Sequence, residues 1–179
     1  MLTYYAGLAH PLYTVSAMNT AEFQFPENID EYLAEHSIIN IATSGEDGPW
    51  ASAAFYAHSG RLFFFMTTPD SQHGRDSLVS GLMAATIHED CAYWDEVKGV
   101  QMRGRVWAVE DASEQKQGLR TFFRKYEFAS QFTQGRMPED LKASLSEVRL
   151  FCFCPDVVYW IDASKQSPLR VRLFPSDMI

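Results

Sequence analysis

The chain has 179 residues, 46% of them hydrophobic, and a formal net charge of −8 at pH 7. A chain of this size and composition predicts one domain whose core is large enough to fold without disulfides or a metal. The negative charge argues against a nucleic-acid or anionic-membrane surface, since either partner requires a basic patch. No apolar run approaches the length of a membrane span.

Three cysteines, Cys91, Cys152 and Cys154, are an odd number, and residues 1–17 lack the basic start and long apolar run of a signal peptide. We therefore expect the protein in the reducing cytoplasm. Cys152 and Cys154 are two residues apart in a predicted strand, so they share one face. This favours a buried apolar pair over a metal or redox site, and we expect no metal.

The first elements in chain order are an extension and a helix. Residues 1–25 show no period and are interpreted as an N-terminal extension. Residues 26–36 begin with Pro26 and carry apolar or aromatic side chains at i, i+3, i+4 and i+7, which predicts an amphipathic helix. These side chains are Ile29, Tyr32, Leu33 and His36.

Two strands, residues 38–43 and 50–58, are predicted next, on either side of a turn over residues 45–49. The second strand has only small side chains at its centre, Ala51, Ser52, Ala53 and Ala54. Small side chains allow something flat and bulky to lie against the backbone, and the close packing of a neighbouring helix explains them equally well.

Residues 62–66 form an unbroken, Phe-rich apolar run, which predicts a strand buried on both faces at the centre of a sheet or barrel. Ser59 and Gly60 predict the tight turn before it. The strand ends in residues 67–75, where hydroxyls, His73 and Arg75 precede a short helical pattern. Such a loop offers a phosphate free backbone N–H groups and a guanidinium, although an ordinary polar connection is as good an interpretation.

Strand patterns continue at residues 82–87 and 99–110, joined by a polar and aromatic connection over residues 91–98. The strand at 99–110 alternates strictly, with Val100, Met102, Gly104, Val106 and Ala108 on one face and Gln101, Arg103, Arg105 and Trp107 on the other. A solvated exterior explains the second face, and so does an interface or a ligand wall, because planar Arg and Trp suit both.

The last third of the chain predicts two helices and a hairpin. Asp111 or Ser113 can cap a helix with an apolar stripe of Leu119, Phe122, Phe123 and Tyr126, and Pro138 can open another through Leu141 and Leu145. Residues 147–154 and 157–163 predict a final hairpin across Pro155 and Asp156. We expect an α+β domain over residues 26–163, with a closed, mainly antiparallel barrel and flanking helices, followed by a tail over residues 164–179.

The order of these elements resembles the pyridoxamine-5′-phosphate-oxidase-like family of FMN-binding split barrels. The resemblance covers residues 30–162. It rests on Phe63-Phe64-Phe65-Met66-Thr67, the loop at 68–75, the strand at 84–87, the segment Gly99-Val100-Gln101-Met102-Arg103-Gly104-Arg105-Val106 and the closing Val158-Tyr159-Trp160-Ile161.

The resemblance implies a six-stranded split β-barrel that forms a homodimer, with one FMN in each of two grooves between the subunits. The implied cofactor-binding residues are Ser52, Ala53, Ala54, Phe55, Met66, Thr67, Thr68, Ser71, His73, Arg75, Gln101 and Arg103. Family oxidases carry a Lys soon after the Ser/Thr of the loop, where this chain has His73 and Arg75. They also carry a basic, His-containing substrate motif near the C-terminus, whereas the tail here has Arg170 and Arg172 without such a His. We therefore expect a substrate other than vitamin B6 phosphate.

Three functions remain open from the sequence. The first is an FMN-dependent oxidoreductase or flavin reductase that acts on a small redox substrate, with the flavin carrying the chemistry. The second is a non-enzymatic flavin carrier or sensor. The third is a relative that binds another planar cofactor, such as haem or a deazaflavin. No side chain is assigned a catalytic role, because no nucleophile with a paired base is evident.

Overall fold

The computed structural model describes residues 24–126, 146–165 and 170–173. The elements in chain order are α1 (Glu27–Glu35), β1 (Ile38–Gly45), β2 (Gly48–Ser59), β3 (Leu62–Thr67), α2 (Gln72–Ser80), β4 (Leu82–His88), a 3₁₀ turn (Trp94–Glu96), β5 (Lys98–Ala108), α3 (Ala112–Lys125), β6 (Arg149–Asp162) and β7 (Arg170–Arg172). The helix predicted from Pro138 and most of the N-terminal extension lie outside the described residues.

The strands form one antiparallel sheet in the order β3-β2-β1-β4-β5-β6-β7, and an additional pairing of β3 with β6 closes the first six into a barrel. The predicted α+β fold with a closed six-stranded barrel is thereby confirmed. Residues 62–65 of β3 are fully buried and pair with β2 on one side, and residues 63–65 pair with β6 on the other. The prediction of a central strand buried on both faces is also confirmed. β7, from the predicted tail, pairs with the far edge of β6.

The two faces of β3 are buried by different partners. Phe63 and Phe65 point into the barrel with Ile39 and Val100, whereas Phe64 points outward and packs with Leu150. The outward side chains are covered by α3, which crosses so closely at Gly118 that an added Cβ would lie 2.7 Å from the Leu150 side chain. One helix therefore converts the outer surface of β3 and β6 into a second core layer.

α3 begins where its cap was predicted. The Asp111 carboxylate accepts hydrogen bonds from the Ser113 hydroxyl and from the backbone N–H groups of Glu114 and Ser113, which together hold the pKa of Asp111 below its usual value. A capping side chain of this type satisfies N–H groups that have no partner within the helix. In the part of the chain that the structure describes, no helix is long and apolar enough to cross a bilayer.

The prediction of a hairpin across Pro155 and Asp156 is wrong. Residues 149–162 form one strand, because both halves of the segment pair with β5: Cys154 pairs with Arg105, Pro155 with Gly104, and Val157 with Arg103. Asp156 is the extra residue of a β-bulge. Proline in a strand is tolerated at a bulge, where its missing N–H costs no ladder bond, so a turn-like dipeptide here bends the strand without reversing it.

The first hairpin turn is shorter than the turn that was predicted over residues 45–49. Gly45 and Gly48 still pair with each other, so only Glu46 and Asp47 form the connection. Gly48 has a φ of 93°, which a residue with a Cβ rarely adopts, and this explains the short turn.

Gly104 is required by the bulge, and its replacement tests the single-strand structure of β6. A Cβ at this position would lie 2.3 Å from the carbonyl oxygen of Cys154 and 2.4 Å from Cα of Pro155, both backbone atoms that cannot rotate away. We expect Gly104→Ala to lower the free energy of unfolding by about 1–3 kcal/mol, as over-packing does, measured by chemical denaturation. Thr86→Ala, on the neighbouring strand, should change it by less than about 0.5 kcal/mol. Equal stability of Gly104→Ala and the parent would contradict the bulge.

Candidate ligand site at the split of the barrel

The barrel opens between β2 and β3. Residues 56–59 of β2 pair with residues 62–65 of β3, where this ladder ends, whereas Met66 and Thr67 of β3 pair only with β6. Residues 49–54 of β2 pair with β1 and lie outside the β2–β3 ladder. If the ladder continued, Ala54 would face Thr67. The two edges of this split are therefore the small-residue half of β2 and the end of β3 with its following loop.

The predicted residues on β2 divide between the two faces of the strand. Ala54 packs against the barrel core on the side of the fully buried Tyr56, so Ser52 shares the inward face. Ala53 and Phe55 point outward. Among the predicted residues of β3, Thr67 points inward and is buried, whereas Met66 points outward and packs beside Phe122 of α3.

The predicted phosphate loop is held together by its own hydroxyl groups. Ser71 caps α2: its Oγ accepts the N–H of Gly74 at 3.2 Å and donates to the carbonyl oxygen of Thr68 at 2.7 Å. Thr67 Oγ1 lies 3.0 Å from Ser71 Oγ and 2.7 Å from His73 Nε2. Arg75 is exposed and donates to the carbonyl oxygen of Asp70. The loop is thus pre-organised, with the guanidinium of Arg75 at its surface.

His73 contributes no positive charge to this loop at neutral pH. Burial lowers its pKa below the usual 6.5, and the nearby Asp76 carboxylate offsets this only in part. The sequence suggested two cationic side chains in the loop, but the structure leaves Arg75 as the cation. A single-sequence pattern could not show this, because the burial of His73 depends on how α2 packs against the barrel end.

The outer surface of the barrel next to the split is a floor of small side chains. Strand register places Ala53, Asn40, Thr86, Gln101, Tyr159 and Arg172 in one row across five neighbouring pairs of strands. The next row is Ala51, Ala42, Ala84, Arg103 and Val157. The four alanines are exposed. The floor is therefore flat and lined by methyl groups near β1, and polar or cationic towards β6 and β7.

A groove of about 780 Å³ follows the cationic end of this floor. Its lining includes Ala42, Ala84, Arg103, Asp156 and Arg172, so one carboxylate and two arginines border the same groove. A smaller pocket of about 340 Å³ adjoins it and adds Gln101, Tyr159 and Arg170. The Arg170 guanidinium lies 3.7 Å from the centre of the Tyr159 ring, a cation–π distance that fixes both groups. This end of the floor is suited to an anionic group.

The predicted cofactor residues consequently form two groups within one protomer. Ser52, Ala53, Thr67 and the loop lie at the split, whereas Gln101 and Arg103 lie on β5. Three strand-to-strand steps separate β2 from β5 in the sheet order, or about 14 Å at the usual strand spacing. The structure therefore does not bring all the predicted residues together around a single point.

Several residues of the floor were not predicted, namely Asn40, Ala42, Ala84, Thr86, Asp156 and Tyr159. The alternation of each strand indicates which side chains point outward, but only the register between strands shows which of them are neighbours. Asn40 illustrates this: its Nδ2 lies 3.2 Å from His88 Nε2, a contact between residues 48 positions apart. The bulge that turns Asp156 into the groove carries no sequence signal distinct from that of a turn.

Other reactive side chains lie away from the split. Cys152 and Cys154 are buried as predicted, and burial raises the pKa of both thiols, that of Cys154 to about 11. Such thiols are inert at neutral pH. His58 Nε2 lies 3.0 Å from an Asp30 carboxylate oxygen, which ties β2 to α1. Within residues 24–126, 146–165 and 170–173, no cluster of three or more His, Cys, Asp or Glu side chains is placed to hold a metal.

Comparison with known proteins identifies a family whose model matches the part of the chain that forms the barrel. A family model described as pyridoxamine 5′-phosphate oxidase matches residues 25–150, which is most of the chain. The chain belongs to the pyridoxamine 5′-phosphate oxidase family. The match spans α1 to the start of β6 and so includes the split, the loop and the part of the floor on β1, β2, β4 and β5.

One relative by sequence and several solved structures are similar to this chain. A UPF0306 protein of Photorhabdus laumondii is 31% identical over 96 residues, covering 52% of this chain and 65% of the relative. A heme binding protein from Mycobacterium smegmatis superposes with a TM-score of 0.61 at 16% identity, covering 83% of this chain and 58% of that one. The chain therefore spans less than two thirds of the length of each of these two proteins.

A FAD-binding protein from Mesorhizobium loti superposes with a TM-score of 0.55 at 16% identity, covering 75% of this chain and 92% of that one. At such low identity the structural matches establish a shared fold and not a shared ligand. Relatives of this fold are described as binding haem or flavin, so the ligand of this chain has to be inferred from its own residues.

Proposed function

We propose that this protein binds FMN at the split and acts as an oxidoreductase on a small-molecule substrate. The observation that supports this most directly is the pairing, across one opening, of small side chains on β2 with a pre-organised polar loop that presents Arg75. A flavin mononucleotide needs both features, because it joins a flat apolar ring system to a dianionic phosphate.

The residues at the split fit such a ligand. Ala51 and Ala53 are exposed on the floor beside it, so the backbone of β2 is accessible to a planar ring. Ser52 Oγ is buried and has no hydrogen-bond partner among the described residues. An orphaned buried hydroxyl costs about 1–3 kcal/mol, and a ligand that supplies its partner would recover part of that cost.

Electrostatics make the loop necessary for phosphate binding. A phosphate dianion approaches a chain whose formal charge is −8, so the long-range field opposes binding. Charge-assisted hydrogen bonds contribute about 1.5–3 kcal/mol each. Arg75 can supply one or two of these hydrogen bonds. Their free energy is enough to overcome the long-range repulsion of the phosphate, because the solvent screens that repulsion.

The flavin, when bound, supplies the chemistry of accepting and passing on a hydride or single electrons. The protein's own residues position the ring and exclude water from it. Gln101 and Arg103 can donate hydrogen bonds that favour negative charge on a neighbouring ring. Because they lie about 14 Å from β2 within one protomer at ordinary strand spacing, we propose that they act on the site of a second copy in a homodimer.

The cationic end of the floor indicates the type of substrate. Arg103, Arg170 and Arg172 line the two adjoining pockets with Gln101 and Tyr159. We propose a small substrate with an acidic group that is held there. The absence of the His-containing family motif from the sequence of this region supports a substrate other than vitamin B6 phosphate.

The identity of the cofactor separates this function from the alternatives. The full chain purified from an expressing cell should be yellow and release FMN on denaturation, identified by mass. Release of haem or a deazaflavin would replace the proposal with the third function. Rapid bleaching of the yellow protein by NADH or NADPH would favour a flavin reductase, and bound FMN that neither donor reduces would favour a carrier or sensor.

Ala53→Trp tests the ring position. The indole would occupy the floor beside the split, so we expect FMN binding to be abolished while the barrel still folds, because Ala53 is exposed and surface substitutions usually change stability by no more than about 0.5 kcal/mol. Ala34→Trp, on the exposed face of α1, is the matched control and should bind FMN like the parent. Full FMN loading of Ala53→Trp would place the ring elsewhere.

Arg75→Ala tests the phosphate contact. We expect the dissociation constant for FMN to rise at least about tenfold, equivalent to about 1.4 kcal/mol, while riboflavin, which lacks the phosphate, binds both proteins equally. Titration by fluorescence quenching measures both ligands, and Arg120→Ala, an exposed arginine of α3, is the control. Equal loss of FMN and riboflavin would mean that Arg75 supports the loop instead.

We also propose that the floor is covered by a second copy of the chain. Ile38, Trp50, Phe55 and Leu82 are large hydrophobic side chains that are 39–60% exposed around it, and obligate interfaces commonly bury more than roughly 2,000 Å². Light scattering at micromolar concentration should give a dimer. Ala84→Glu, at the centre of the floor, should give a monomer, whereas Ala34→Glu should not. A monomeric parent would contradict the proposal.

A further inference from the structure

Asp76 of α2 is a buried carboxylate that the proposed function does not use. It is 7% exposed, and its Oδ2 accepts a hydrogen bond of 2.8 Å from the hydroxyl of Thr43 on β1, which is 6% exposed. Among the described residues, Asp76 forms no ion pair. A buried carboxylate without a cation depends on its hydrogen bonds, because an unsatisfied charged acceptor is costly to bury. The hydrogen bond from Thr43 therefore holds α2 against β1.

The end of β1 leaves a space for this carboxylate at Gly45. A Cβ at this position would lie 2.1 Å from Oδ1 of Asp76 and 2.8 Å from its Cγ. The φ angle of Gly45 is not positive, so its backbone conformation alone does not require glycine. It is the close approach of Asp76 that requires it, and a side chain here would push the carboxylate away from Thr43.

The hydrogen bond between Thr43 and Asp76 connects the two edges of the split. Thr43 pairs with Trp50 at the start of the small-residue half of β2, which is one edge. α2 continues from the loop that forms the other edge, and Asp76 follows directly after Arg75, the cation of that loop. The β2–β3 ladder does not extend to this half of β2. A contact through α2 thus joins two edges that no ladder joins.

We propose that Asp76 is a positioning residue: its hydrogen bond from Thr43 sets the width of the split, and this width decides whether one ligand can contact both edges at once. The inference rests on the proposed function and deepens it. A ligand with a ring at one end and a phosphate at the other gains affinity from both contacts only when the two sites lie at the distance that its own length spans, because the second contact is then intramolecular.

Three ligands separate the width of the split from the individual contacts. FMN reaches both edges, lumiflavin has only the ring system, and inorganic phosphate has only the anion. Thr43→Val removes the hydroxyl at nearly constant shape, whereas Gly45→Ala displaces the carboxylate, so the two changes break the same hydrogen bond by different routes. Thr43→Ser keeps a hydroxyl and is the matched control.

In the full-length protein, Thr43→Val and Gly45→Ala should each weaken FMN about fivefold, the effect of one ordinary hydrogen bond, and leave lumiflavin and phosphate within about twofold of the parent. The double variant should bind FMN like Gly45→Ala, because the hydrogen bond is already lost. Thr43→Ser should bind all three ligands like the parent. Fluorescence quenching measures the flavins, and the NMR shifts of the loop amides measure phosphate.

Each other result has a definite meaning. Equal weakening of FMN and of lumiflavin or phosphate would show that Asp76 supports the shape of one edge, and this would overturn the inference. Unchanged FMN binding in both variants would also overturn it, as would a Thr43→Ser variant as weak as Thr43→Val. Failure of the parent to bind any flavin would instead contradict the proposed function.

The width of the split can be measured without a ligand. Ala51→Cys on β2 and Val79→Cys on α2 place spin labels at two exposed positions, and Cys91→Ser removes the other thiol that is not buried. Pulsed electron paramagnetic resonance should give one narrow distance for this protein and with Thr43→Ser, and a longer or broader distribution with Thr43→Val or Gly45→Ala. The same narrow distance in all four would overturn the inference even if FMN binds.

Discussion

The pairing of β3 with β6 is the constraint on which the rest of the structure depends. It closes the barrel, and it continues through Met66 and Thr67 after the ladder between β2 and β3 has ended at Phe65. The β3–β6 ladder therefore buries the Phe-rich strand and holds the end of β3 as one edge of the split. The loop that follows Thr67 begins at this edge and leads to α2 at Gln72. The pairing that closes the fold thus also positions one side of the candidate site.

Much of this fold could be predicted from local patterns. The helix at α1, the buried run at β3, the alternation of β5 and the Asp111 cap depend on neighbours within a few residues, and all are present in the structure. The error at Pro155 and Asp156 has a different origin. Whether a Pro-Asp pair reverses a chain or bulges a strand depends on the partner strand, and here Gly104 of β5 leaves room for the bulge.

The candidate site was less predictable than the fold. Sequence patterns and family resemblance named Ser52, Ala53, Thr67 and Arg75, which do flank one opening. They did not show that His73 is a neutral member of a hydrogen-bonded chain, because its burial arises from tertiary packing. They also missed the methyl-lined floor: Ala42 and Ala84 become neighbours of Ala51 only through the register of three strands.

The charge distribution explains why the candidate residues occupy two separate groups. A chain with a formal charge of −8 cannot attract an anion at long range, so each anionic group of a ligand needs its own local cation. In the proposed function Arg75 serves the split, whereas Arg103, Arg170 and Arg172, which line the two pockets, serve the far end of the floor. Separating these cations by several strands keeps two anionic molecules from competing for one guanidinium. In the proposed dimer, a ring held at the split of one copy would meet a substrate held by the arginines of the other, and the pairing of two floors would then be a condition of the proposed chemistry and not only of stability.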